Sequence, residues 1–303
     1  MLEKDIENLL SRYPSDLLSG NLIFKGQQVK LGSYYADVVF EDEKGRLVIV
    51  EIKRGILRRD ALGQVIEYYG LLKKKEPNKE IRLMLVANVI PEGMTTLLTE
   101  KLGMQFIEMS VSKIMNVASK HGYRFLDSEK PELTQEYRQT IQKMEIEADT
   151  SKRRVWIFQA NPQRYDILNA LADEKLVEDT WEVNRYRDLI CAGNLGLIWM
   201  SGKEGGIYAV ADVVSIPQML LDSEQSTKYW VSESDKRQMM LRVKIRYKLK
   251  LINNPIFKQE LKNIAELKDM EIFRRPIGTN FKVNNLEWQA ILGLLSKRFN
   301  FKE

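Results

Sequence analysis

Four apolar residues in a row, Leu47-Val48-Ile49-Val50, run without a break into Glu51-Ile52-Lys53. A continuous β-branched run marks a strand covered on both faces. A carboxylate at the end of such a strand is costly unless it has a partner or a task. A side-chain period of two puts Glu51 and Lys53 on one face of the sheet. A second β-type run, Ala36 to Phe40, lies just upstream. Between the two, Glu41-Asp42-Glu43-Lys44-Gly45 reads as a hairpin turn, with glycine supplying the unusual backbone angle. A hairpin of this length can bring Asp37 alongside Glu51 and Lys53.

The surrounding pattern is α/β. Residues 2–12 predict a helix with Leu2, Ile6, Leu9 and Leu10 on one side, and Leu22 to Phe24 a short strand. Asp60 to Lys74 predicts a helix, with Ala61, Val65, Tyr68, Tyr69 and Leu72 spaced for one face. Then follow a strand at Ile81 to Ala87, a helix opened by Pro91 and Gly93, a strand at Met104 to Met109 and a helix at Val111 to Lys120. Helices alternating with strands predict a sheet covered by helices.

Composition narrows the chemistry. The 303 residues contain one histidine, His121, and one cysteine, Cys191. Metal cages of several His or Cys ligands and an intramolecular disulfide are excluded within one chain. Two carboxylates converging at strand ends instead form a hard oxygen site suited to Mg²⁺ or Mn²⁺. A lysine beside them can orient or deprotonate a water. No P-loop is present.

The second half differs in kind. Residues 1–150 hold 22 Lys+Arg against 23 Asp+Glu, and residues 151–303 hold 25 against 19. All five tryptophans, Trp156, Trp181, Trp199, Trp230 and Trp288, fall in the second half. A basic, Trp-rich half points to nucleic acid as a partner. Strand-like runs at Val155–Gln159, Gly196–Met200, Ile207–Val214 and Arg242–Leu251, with a helix at Leu286–Arg298, predict a compact β-rich barrel. From Arg242 to Leu251 the residues alternate strictly. Val243, Ile245, Tyr247, Leu249 and Leu251 share one face, and Arg242, Lys244, Arg246, Lys248 and Lys250 share the other. Five outward cations could track a phosphate backbone. Trp156 and Trp288 read as core. Trp181, Trp199 and Trp230 are candidates for a cage that stacks on a flat base.

The expected organisation is 1–130 as one domain, 131–152 as a helical linker and 153–303 as a second domain. Leu133, Tyr137, Ile141 and Met144 give 131–148 an apolar stripe, and a polar run from Ala148 to Arg154 joins the domains. No stretch approaches the ~20 apolar residues of a membrane span and no secretory signal is visible, so a cytoplasmic location is the default expectation.

Gly32…Asp37-Val38-Val39, Glu51-Ile52-Lys53-Arg54-Gly55 and Gln64-Val65-Ile66-Glu67-Tyr68 together resemble the PD-(D/E)XK nuclease superfamily, and within it the NucS-type endonuclease branch. The resemblance covers roughly residues 1–125. It implies that Asp37 and Glu51 bind metal, that Lys53 is the catalytic lysine, and that Gln64 and Tyr68 support the site and the scissile phosphate. Glu7 is a further acidic candidate. Gly32-Ser33-Tyr34-Tyr35-Ala36-Asp37 departs from the Gly-Arg-x-Asp run frequent in that family.

Trp156-Ile157-Phe158-Gln159-Ala160-Asn161-Pro162, Gly193…Ile198-Trp199-Met200-Ser201-Gly202, Gly206-Ile207-Tyr208-Ala209-Val210 and Glu287-Trp288 resemble an EVE domain, a PUA-like barrel, over roughly residues 153–300. EVE domains resemble the YTH readers of methylated RNA, and several read modified cytosine in DNA. The resemblance implies a base flipped into an aromatic pocket, with Trp181 first among the cage residues and Trp199, Trp230 and Asn161 after it. Gly193-Asn194 replaces the usual Gly-Asp.

The expectation is a modification-dependent, Mg²⁺-dependent endonuclease acting on double-stranded DNA near 5-methyl- or 5-hydroxymethylcytosine, in defence against foreign modified DNA. Cutting both strands needs two sites, so a homodimer is expected. Alternatives are a mismatch- or branched-DNA endonuclease with a general DNA-binding barrel, and a non-enzymatic reader of modified DNA or RNA.

Overall fold

The computed structural model describes residues 1–127, 131–150, 153–236 and 238–299, and the side chains of 131–134, 149 and 150 lie outside the description. Leu133 of the expected apolar stripe and Ser151-Lys152 of the expected polar link therefore fall outside it. The chain divides into two compact units, Met1–Glu129 and Lys130–Glu303.

Unit one begins with α1 (Glu3–Arg12) and α2 (Pro14–Leu17), followed by β1 (Ile23–Leu31), β2 (Tyr34–Glu41) and β3 (Leu47–Ile56). Then come α3 (Arg59–Lys75), β4 (Ile81–Val89), α4 (Glu92–Thr96) with a π turn at Leu97–Lys101, β5 (Gln105–Glu108) and α5 (Val111–Lys120). The strands lie in sequence order in one sheet. β1, β2 and β3 pair antiparallel, and β3, β4 and β5 pair parallel. Thus β3 is antiparallel to one neighbour and parallel to the other. Leu47 through Ile52 are all buried, as the unbroken apolar run requires.

The turn before β3 forms as expected. Gly45 takes φ 71°, and the Asp42 carboxylate accepts the N–H groups of Lys44 and Arg46. β1 and β2 run longer than their apolar cores suggest, because their polar residues still pair across the hairpin. Beneath α3 the core gathers Ala61, Val65, Tyr68 and Leu72 with Val39, Ile49 and Leu85.

Unit two opens with α6 (Pro131–Thr150), β6 (Val155–Ala160), α7 (Ile167–Ala172), β7 (Glu178–Glu182), β8 (Leu195–Met200) and β9 (Gly206–Val213). It continues with β10 (Gln218–Leu220), β11 (Met240–Lys250), β12 (Ile256–Phe257), β13 (Asn280–Val283) and a closing helix, Asn285–Phe299. These eight strands form one sheet in the order β10-β11-β9-β8-β6-β13, with β12 on β9 and β7 on β11. β6 and β8 are parallel, and the other pairs are antiparallel.

Trp156 is fully buried and donates from Nε1 to Asn194 Oδ1 at 2.8 Å. The asparagine at the departing Gly-Asn position thus caps a core tryptophan. Trp288 is buried in the same unit. The helix α6 packs on this unit: Ile141 and Met144 join its core, and the Tyr137 hydroxyl accepts the Lys250 N–H at 3.0 Å.

Candidate active site

The acids meet where β2 and β3 lie side by side. Val38 faces Val50 across the ladder, which brings Asp37 next to the end of the buried run. Asp37 Oδ2 accepts the Ile52 backbone N–H at 2.8 Å. Glu51 and Lys53, two apart on β3, meet at 2.7 Å between Oε1 and Nζ. After Lys53 the pairing of β3 with β4 slips. Gly55 takes φ 76° in that irregularity and donates its N–H to Asn88 Oδ1 at 2.8 Å. Only glycine adopts that left-handed angle readily, which gives the glycine of Glu-x-Lys-Arg-Gly its physical role.

Burial sets the electrostatics. Glu51 is 2% exposed, and its Oε2 is buried with no hydrogen-bond partner. Desolvation, then the charge of Asp37, pushes the Glu51 carboxyl up to about 7. Desolvation likewise raises Asp37 to about 6, against the Ile52 hydrogen bond and with help from the charge of Glu7. Burial works to lower the Lys53 ammonium. The hydrogen bond to Glu51 and the charges of Glu51, Glu3 and Asp37 together outweigh it and hold Lys53 above its usual range. Tyr68, buried on α3, is pushed up to about 12 by desolvation and then by Glu51 and Asp37.

Two acids that resist shared ionisation, one with an orphaned oxygen, fit a hard divalent cation. Among the described residues no three His, Cys, Asp or Glu side chains converge as a metal cage. Asp37 and Glu51 would then be the two carboxylates, a number that suits Mg²⁺, which keeps water and phosphate oxygens in its shell.

Gln64 lies one turn before Tyr68 on α3, and its Oε1 is buried without a partner. Glu7, buried on α1, is joined to the site by Gln28, whose amide donates to Glu7 Oε2 at 2.9 Å and to Asp37 Oδ1 at 3.1 Å. Two neighbours escape a reading of spacing alone. Gln28 is one. The other is Glu3, which stands 3.8 Å from Lys53 Nζ and accepts the Arg54 N–H. Both come from outside the motif, and α1 carries no signal that it folds onto β3.

A second concave site lies in unit two, a cavity of about 170 Å³ lined in part by Asn161, Tyr165, Trp181, Trp230, Asp222 and Arg242. Tyr165 is edge-on to both tryptophans, with ring centroids 6.4 Å from Trp181 and 5.2 Å from Trp230. Arg164 and Arg242 each lie 5.9 Å from the centre of the Trp230 ring. Asp222 accepts hydrogen bonds from Trp230 Nε1, Thr180 Oγ1 and Ser226 Oγ. Buried Asp179 accepts from the hydroxyls of Tyr165 and Tyr247, and desolvation followed by the Asp222 charge pushes it up to about 6. The cavity is smaller than the roughly 300–1,000 Å³ of common small-molecule sites and suits a single flat ring.

Trp181, Trp230 and Asn161 therefore meet at one cavity. Trp199 does not join them: it is 3% exposed in the unit-two core, with its ring edge-on to Phe273. It lies on β8, between β6 and β9, on a face of the sheet packed into the core.

The five cations of β11 are not an uninterrupted outward row. β11 is an inner strand, paired with β9 and β10 along one edge and with β7 along the other. Arg242 is 2% exposed and lines the cavity. Arg246 pairs with Glu178 at 2.7 Å and Lys248 with Asp212 at 2.8 Å, while Lys250 Nζ donates to the Asp173 carbonyl at 2.6 Å. Lys244 is exposed. Pairing by acids on neighbouring strands was invisible in the alternation itself.

The fold and the two sites define the class: a nuclease-type α/β domain joined to a PUA-like, β-rich domain. Residues 2–125 match the family model of the endonuclease NucS C-terminal domain, and residues 154–294 match that of the EVE domain. The chain is a NucS-like nuclease domain fused to an EVE domain. Endonuclease NucS of Pyrococcus furiosus is 32% identical over 112 residues, which are 37% of this chain and 40% of that protein. The chain thus spans about two fifths of the length of the curated relative it matches. A repair endonuclease from Pyrococcus abyssi is similar at 26% identity and TM-score 0.32, over 36% of this chain and 47% of that one. A hypothetical protein from Leishmania major is similar at 19% identity and TM-score 0.37, over 48% and 97%.

Proposed function

We propose that the chain is a Mg²⁺- or Mn²⁺-dependent DNA endonuclease directed by its EVE domain to modified cytosine. The observation that carries the nuclease half is Glu51: a buried carboxylate with an orphaned oxygen, beside Asp37 and Lys53. A bound divalent cation would polarise the phosphodiester and stabilise the leaving oxygen. Asp37 and Glu51 would hold it. Lys53, held above its usual range by Glu51 and its acidic neighbours, is an ammonium that donates hydrogen bonds at neutral pH in the metal-free site, which suits it to orient water or phosphate. Tyr68 stays a neutral phenol, and Gln64 adds an amide on the same helix face.

Support for the reader half comes from the cavity shared by Trp181, Trp230 and Asn161. An extruded base stacks on such rings, and the cations at its wall suit a polyanion. Exposed Lys244 remains in the proposed backbone contact, with Arg246, Lys248 and Lys250 beside it. Restriction of modified foreign DNA in the cytoplasm by a homodimer follows from this reading, since each chain offers one cutting site. No helix among the described residues is long and apolar enough to cross a membrane.

The test is direct. The full chain is incubated with Mg²⁺ or Mn²⁺ and with unmodified, 5-methylcytosine, 5-hydroxymethylcytosine or mismatched duplexes. Cleavage confined to a modified duplex is expected. Equal cutting of all four overturns the targeting. Cutting of the mismatched duplex alone gives a mismatch endonuclease, and tight binding without cleavage gives a reader.

A further inference from the structure

Gln28 has φ 51°, a left-handed backbone uncommon outside glycine. It sits inside β1, just past an irregularity where the pairing with β2 slips between Phe24 and Gly26. A strand needs no such residue for its ladder. What the conformation accompanies is the placement of one side-chain amide. Nε2 donates to Glu7 Oε2 at 2.9 Å and to Asp37 Oδ1 at 3.1 Å, so both protons of the amide have carboxylate acceptors. Asp37 Oδ2 is already held by the Ile52 N–H. The carboxylate is therefore fixed at both oxygens, by a neighbouring strand at one and by Gln28 at the other. Glu7 is held in turn by Lys4 at 2.7 Å and Gln27 at 3.2 Å.

We propose that Gln28 is a positioning residue for Asp37, tolerating a strained backbone to set the orientation in which that carboxylate meets a divalent cation. It acts through Asp37 and touches no substrate. An amide suits this task because it donates hydrogen bonds without a charge. A lysine in its place would neutralise Asp37 and repel the cation. The inference rests on the reading that Asp37 and Glu51 hold such an ion.

The experiment is Mn²⁺ titration of the DNA-free full chain by calorimetry, paired with thermal unfolding. Gln28→Gly removes the amide and relaxes the left-handed backbone. Gln28→Met keeps the length and removes only the donor. Both variants are expected to weaken Mn²⁺ binding by about 10–100-fold, the usual effect of losing a partner that orients a metal ligand. Gln28→Gly should at the same time keep or raise the unfolding midpoint. A purely structural Gln28 would leave Mn²⁺ affinity unmoved. Unchanged affinity in either variant overturns the proposal. Asp37→Asn separates the two failures: Mn²⁺ binding that is absent in the wild type, or indifferent to Asp37→Asn, overturns the cation reading itself. Binding that needs Asp37 and ignores Gln28 overturns only the positioning role.

Discussion

Glu51 and Lys53, two residues apart on one strand, touch at 2.7 Å, although Glu51 is almost wholly buried and Lys53 a quarter exposed. The pair is one-sided. Glu51 Oε1 has its lysine, and Oε2 has no partner.

Removing Lys53 should therefore separate chemistry from binding. Lys53→Ala is expected to lower cleavage by about 10²–10³-fold, the usual cost of losing one preorganised donor. DNA affinity in a gel-shift assay should stay within about twofold, because one partly buried lysine adds little to a many-phosphate contact. Retained cleavage would take Lys53 out of the mechanism.

The pH dependence has a defined sign. Asp37 and Glu51 both titrate above their ordinary range, near 6 and 7. Their contribution to the metal-free fold is fully present below about pH 4, the unfolded carboxylate range, and is lost as pH rises through those two values. Wild-type stability should thus fall between about pH 5 and pH 8 relative to Asp37→Asn/Glu51→Gln. Mn²⁺ affinity should run the other way and weaken as pH drops below about 7, because protons and cation compete for the same oxygens. Parallel pH series of unfolding and calorimetry check both slopes.

Trp181→Ala and Trp230→Ala should blunt discrimination between modified and plain DNA. Loss of one stacking ring is worth about 1–3 kcal/mol per base. Trp199→Ala should instead cost stability, about 3–5 kcal/mol for a buried tryptophan. Competition binding and thermal melts distinguish the two outcomes, and unchanged selectivity in both cavity variants would move the reading site elsewhere.

Arg242 and Lys244 should behave as opposites despite their shared strand. Arg242→Ala removes the guanidinium that stands 3.7 Å from the buried Asp222 carboxylate, at a cost of about 3 kcal/mol. Lys244→Ala should change stability by less than about 0.5 kcal/mol. It should weaken DNA binding evenly across sequences and reduce the salt slope by about one. A destabilised Lys244→Ala would contradict its exposure.

The legible features were those written in short range. The run Leu47–Val50, the turn at Gly45 and the spacing from Glu51 to Tyr68 each encode a local geometry, and helices alternating with strands announce a helix-covered sheet without giving its strand order. The opaque features depend on distant chain. Neither Glu3 nor Gln28 shows in its own neighbourhood that it folds beside Lys53 or Asp37. Alternation along β11 could not reveal that Asp212 and Glu178, on neighbouring strands, pair with two of its cations. Trp199 and Trp181 look alike in sequence, and only tertiary packing places one in the core against Phe273 and the other at a cavity wall.

The mixed pairing of β3 has a consequence for inheritance. Because one strand closes a hairpin on one side and opens a crossover on the other, Asp37, Glu51, Lys53, Gln64 and Tyr68 all come from one uninterrupted stretch. On the proposed reading, a cutting centre written so locally would travel as a cassette. It would change its fusion partner, and with it the DNA it is sent to, without a single reacting group having to be reinvented.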